Sequence, residues 1–134
     1  MKFWAVVLFV SFSPFVSFAQ DSGTYRACSA KANTQAEMNA CASDEAARVD
    51  AKLNAAYQEL LSKVASQPEA LAKIKAAERA WLVYRDAYIE ATYPAKDKAA
   101  EYGSMYPLDA ALLRAKLTQR QIAALDDLLQ HYSH

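Results

Sequence analysis

Residues 34–64 read TQAEMNACASDEAARVDAKLNAAYQELLSKV, and this stretch decides the fold. It opens on Thr34 with Glu37 three positions later, a capping box in which the threonine oxygen accepts an orphan amide and the glutamate reaches back. Apolar positions follow at Met38, Cys41, Val49, Leu53, Tyr57, Leu60 and Val64, spaced by three or four apart from a polar gap at Glu45. That period puts them on one face of a long helix, with Arg48, Asp50, Lys52, Gln58 and Glu59 largely on the other.

Downstream, Ser66 and Glu69 repeat the capping pattern around Pro68, which a first helical turn tolerates. A second helix is predicted from there to about Tyr93, because Pro94 disfavours continuation. Its apolar stripe is Leu71, Ile74, Ala77, Trp81, Tyr84 and Tyr88, widened by Leu82 and Ile89. A short link between two long amphipathic helices predicts an antiparallel hairpin. Ala95 to Tyr102 has room for a turn or two of helix, and Gly103-Ser104 marks a turn. Helix resumes from Pro107 to about Tyr132 through Leu108, Ala111, Leu112, Ala115, Ile122, Leu125 and Leu129. A third capping-box match, Thr118-Gln119-Arg120-Gln121, is a point at which that segment can split. The expected fold is all-α: an antiparallel helical hairpin extended to a three- or four-helix bundle, with the N-terminal arm pinned to its first helix and one disulfide.

Upstream, residues 1–19 carry Lys2, then an apolar run through Phe3, Trp4, Val6, Val7, Leu8, Phe9 and Val10, then Ser17-Phe18-Ala19 with small residues at the −3 and −1 sites. This is the layout of a secretory signal peptide cut after Ala19, leaving residues 20–134 as the helical domain. Pro14 and a length short of the ~20 apolar residues that span a bilayer argue against an anchor. The expected location is the periplasm or the outside of the cell, without membrane contact once the leader is removed. In such an oxidising compartment Cys28 and Cys41 pair with each other, since zinc needs about four ligands and no histidine lies near them.

The 134 residues carry no net charge, are 54% hydrophobic and include only two glycines. That length suits one domain. Neutral charge excludes the basic stripe of a nucleic-acid binder, and so few glycines exclude a glycine-rich phosphate cradle. Alanine fills 29 positions, which favours helix. Both histidines, His131 and His134, fall in a terminal stretch, so no nucleophilic triad is expected. Asp127 completes an i, i+4, i+7 set with them, read as a solvated helix end in place of a metal site. Adjacent carboxylates at Asp44/Glu45 and Asp126/Asp127 point apart on a helix and make no acid–base couple. The chain is expected to be a binding protein, not an enzyme, with no cofactor and no metal.

The densest cluster runs from Glu78 to Asp86. Trp81 is read as the core anchor, Arg85 stacks on its ring one turn later, and a carboxylate on the first long helix pairs with the guanidinium. The alternative exposes part of this face to a protein partner. Cys28, the run Thr34-Gln35-Ala36-Glu37-Met38-Asn39-Ala40-Cys41-Ala42, Leu53-Asn54, Tyr57, Arg79-Ala80-Trp81 and Tyr84-Arg85-Asp86-Ala87 together resemble the lysozyme inhibitor LprI-like family, from about Cys28 to Arg120. The resemblance implies a disulfide-bearing helical domain that inhibits a peptidoglycan-cleaving lysozyme, with Thr34, Glu37, Met38, Asn39, Asn54, Tyr57, Trp81, Tyr84, Arg85 and Asp86 as family-motif core. Relatives of that kind also carry a cysteine where this chain has Ile89, and a second near Leu112 or Leu113. An apolar contact is expected to stand in for that bridge, stabilising less.

Lysozymes cleave with two carboxyl groups in a sugar-binding cleft, which an inhibitor need only occlude. Tyr93, Lys96, Lys98, Tyr102 and Tyr106 supply rigid contact area and cations for such carboxylates, and form the expected partner surface. The plainer alternative is a solvated connector whose tyrosines lie on the bundle. Two other roles stay open at this point: an immunity or envelope-stress protein with a different target, and a structural envelope module.

Overall fold

The computed structural model describes residues 22–134; the predicted leader over residues 1–19 lies outside the described residues. Helix α1 spans Gly23–Ser29, α2 Gln35–Lys63, α3 Pro68–Thr92, α4 Lys98–Tyr102 and α5 Tyr106–His131, with a 3₁₀ turn at Gly103–Met105 before α5. The arm expected to rest on α2 is thus itself helical, its first turn capped by Ser22, whose Oγ accepts from the Tyr25 N–H at 3.1 Å. The capping box of α2 forms as read: Thr34 Oγ1 accepts from Glu37 N–H at 3.2 Å, and Glu37 Oε2 accepts from Thr34 N–H at 3.0 Å.

Two predicted caps do not form. At α3 the cap position is Gln67, with no side-chain bond, and Ser66 plays no part. Pro68 at the first helical position removes one orphan N–H, so that end needs less capping. Helix α5 runs unbroken through Thr118, which is fully buried and donates its hydroxyl to Asp50 Oδ1 at 3.2 Å. A tertiary partner for the hydroxyl takes the place of a local one. Gly103, where α4 ends, has φ 71°, a left-handed backbone that costs glycine nothing.

The closest helix pairing is α2 against α5, while α1 lies on α2 and α3 approaches α5 at fewer points. Alanines explain the tight pair: Ala42 and Ala46 of α2 and Ala111 and Ala115 of α5 sit at or beside two of the buried clusters. One cluster joins Tyr25, Cys41 and Ala42 to Leu108 and Leu112, and the next joins Ala46 and Val49 to Ala115 and Ile122. The third gathers Leu53 and Leu60 of α2, Val64 at its C-terminal cap, Ile74 of α3 and Leu125 of α5, with Tyr57 and Trp81 packed against it. The Cys28–Cys41 disulfide, with its Cα atoms 5.7 Å apart, fastens α1 to α2.

Helix α3 does not bury the stripe its apolar period marks. Ile74 is buried, but Tyr84 and Tyr88 are 55% and 41% exposed, and Ala77 is exposed. Glu78 and Arg85 take inner positions instead, because each finds a polar partner on another helix. Among the described residues no helix is long and apolar enough to cross a membrane.

Candidate partner-binding site

The connector between α3 and α5 is braced from within. Tyr93 caps α3, Tyr102 ends α4 and Tyr106 opens α5. Their rings meet edge to face, Tyr93 to Tyr102 at 5.3 Å and Tyr93 to Tyr106 at 5.2 Å, with Tyr102 and Tyr106 6.0 Å apart. The Ala95 N–H donates to Tyr102 Oη at 3.0 Å. Lys98 Nζ donates to Glu90 at 2.9 Å, to the Tyr93 carbonyl at 2.8 Å and to the Ala95 carbonyl at 3.2 Å, and lies 6.0 Å above the Tyr106 ring.

Electrostatics follow from that geometry. The hydrogen bond to Glu90 raises the Lys98 pKa above its ordinary value, against a smaller opposing effect of desolvation. Burial raises that of the Tyr93 hydroxyl, helped by nearby Asp109. Of the residues expected to form the partner surface, Tyr93, Lys98, Tyr102 and Tyr106 are thus brought together, and Lys96 stands apart and exposed. Asn39 ties this end of the molecule to α2 by donating to the Ser104 carbonyl at 3.2 Å.

Of the family-motif residues of α3, Trp81 and Arg85 turn inward, whereas Tyr84 and Asp86 are exposed. Arg85 is buried, its guanidinium 5.3 Å over the Trp81 ring, 3.7 Å from Asp50 and 2.9 Å from Asp86. The expected carboxylate on the first long helix is therefore Asp50, which also pairs with Arg114 of α5. Gln121 donates to Glu78 at 2.8 Å, a second bridge from α5 to α3. Thr34 and Glu37 act in the cap, Tyr57 packs on the largest cluster, Met38 is half-buried, and Asn54 is exposed.

Sequence reasoning missed Asp50 and Glu45. The apolar period assigns Asp50 to the outer face, although it lies three residues before Leu53, at the edge of the apolar stripe, where such a residue can turn inward. Glu45, read as a polar gap, is buried; Ser22 Oγ donates to it at 2.6 Å and Arg48 pairs with it. Ile89, which stands where relatives carry cysteine, lines a cleft of about 370 Å³ with Ala46, Ala47, Ala110 and Ala111, while Leu112 packs on the Tyr25 cluster. Among the described residues no group of three or more His, Cys, Asp or Glu is placed to hold a metal ion.

A disulfide anchor, closely paired α2 and α5, and a third helix held by a Trp–Arg–Asp layer define a small all-helical domain with an internally braced connector. A family profile described as lysozyme inhibitor LprI matches residues 27–125, and the chain belongs to that family. A protein of Rhizobium meliloti (strain 1021), described as uncharacterized, is 31% identical to it over 112 residues, covering 75% of this chain and 77% of the relative. No solved structure matches the chain.

Proposed function

We propose that this protein is exported by removal of residues 1–19, then binds a lysozyme-type peptidoglycan-cleaving enzyme and inhibits it by occluding its cleft. Family membership supports the choice of enzyme. The disulfide supports export, since such bonds persist where the compartment is oxidising. N-terminal sequencing of the secreted protein is expected to begin at Gln20; an intact Met1 would refute removal of the leader.

The observation that carries the placement is the braced tyrosine connector. Rings locked before binding lose little entropy on contact, so their area converts efficiently into affinity. Lys98 uses its donors within the connector and acts as a positioning residue. Lys96, exposed beside it, is the cation available to a carboxylate of the target cleft.

The test is a turbidity assay of cell-wall lysis with several lysozyme types. Lys96→Ala is expected to weaken inhibition roughly tenfold, the loss of about 1.4 kcal/mol, with helical circular dichroism unchanged. Full inhibition by the Lys96→Ala, Lys98→Ala double variant removes this placement. A native protein that inhibits no lysozyme type, while capturing a different envelope enzyme, replaces the target.

A further inference from the structure

Helix α3 carries a second apolar face that nothing among the described residues covers. Val83 and Tyr84 are 71% and 55% exposed, and Ala76, Ala80 and Ala87 beside them are exposed as well. A helix apolar on both its inner and outer faces is usually covered on both. Ala76, Ala80, Val83, Ala87 and Glu90 follow one another in steps of four, three, four and three, the seam spacing of paired helices. Arg79 and Asp86, both exposed, share one edge of that seam.

We propose that this face packs on the same face of a second copy of the chain, with the two α3 helices antiparallel about a two-fold axis. That axis sets Val83 opposite the partner's Ala80 and Ala76 opposite the partner's Ala87, so the bulkiest side chain of the seam meets a small one. It also sets Arg79 against the partner's Asp86, twice over. Parallel pairing would instead set that edge against the partner's opposite edge, which carries Ala77 and Tyr84 and offers neither charge a partner. An edge that is its own complement when reversed is what an isologous interface requires, and an unrelated helix has no reason to match it.

Asp86 remains available although it holds Arg85: its side chain is 68% exposed, and a carboxylate accepts several bonds. A seam of about four turns buries less than the ~1,600 Å² of a standard interface, so association is weak and depends on concentration.

Sedimentation equilibrium tests this on protein expressed from the full chain and purified in the form the cell makes. The mass is expected to rise from one chain toward two with concentration. Val83→Glu should raise the dimer dissociation constant roughly tenfold or more, with helical circular dichroism unchanged because the position faces outward. Arg79→Glu and Asp86→Lys should each weaken self-association, and mixing the two variants should restore it as a heterodimer. A native chain that stays at single mass at its highest soluble concentration overturns the proposal, as does a dimer indifferent to Val83→Glu. A monomeric chain whose lysozyme inhibition is lost with Val83→Glu assigns the face to the target enzyme and overturns it too. No lysozyme enters the sedimentation cell, so the outcome is separate from that of the inhibition assay.

Discussion

Glu37 accepts backbone N–H bonds from Asn33 at 2.6 Å and Thr34 at 3.0 Å, and these bonds hold its carboxyl below the ordinary 4.5. A lowered folded-state pKa means that folding favours the charged form. The contribution is complete above the unfolded value of 4.5 and is lost as pH falls through the lowered folded value. Glu37→Ala is therefore expected to be less stable than the native chain in urea titrations at about pH 7, with the difference shrinking as pH falls through the lowered folded value. At this scale much was legible: a capping box is a pattern of near neighbours, and the Trp81–Arg85 stack needs only one helical turn. Asp50 was not, because its partners, Arg85 and Arg114, lie on helices far along the chain.

Helix α1 has seven residues, too few to persist alone in water, and no apolar period announces it. It exists because Tyr25 buries against Cys41 and Ala42, with the disulfide beside it. Opening the covalent loop frees the unfolded chain; for a sequence separation of 13 the loss is about 3 kcal/mol. The double variant Cys28→Ser, Cys41→Ser is expected to show that loss in urea unfolding, and its amide exchange should quicken first over Gly23–Ser29. Exchange that accelerates equally in α2 and α5 would show that the bond supports the whole domain. Helices α2, α3 and α5 were each foreseeable from their periods, α2 also from its cap, and α5 stays whole because Thr118 bonds to α2.

Asp50 is the point at which α2, α3 and α5 are joined, taking Arg85 from one neighbour and Arg114 and Thr118 from the other. Asp50→Asn keeps the shape and removes the charge, leaving buried Arg85 with Asp86 as its remaining ion-pair partner. A cost of about 2 kcal/mol is expected in denaturant unfolding, less than for a fully orphaned buried charge because one carboxylate stays. Unchanged stability would mean that α3 is held by its apolar contacts alone. What the sequence by itself determined was local: that long helices run near α2, α3 and α5, that α2 has one apolar stripe, and that Trp81 and Arg85 stack, since each rests on neighbours within a turn or two. Which helix lies closest to α2, and which side of α3 turns inward, only the tertiary structure decided. A period marks an apolar face without naming its partner, and here alanines let α2 and α5 approach while Glu78 and Arg85 found polar partners across the bundle.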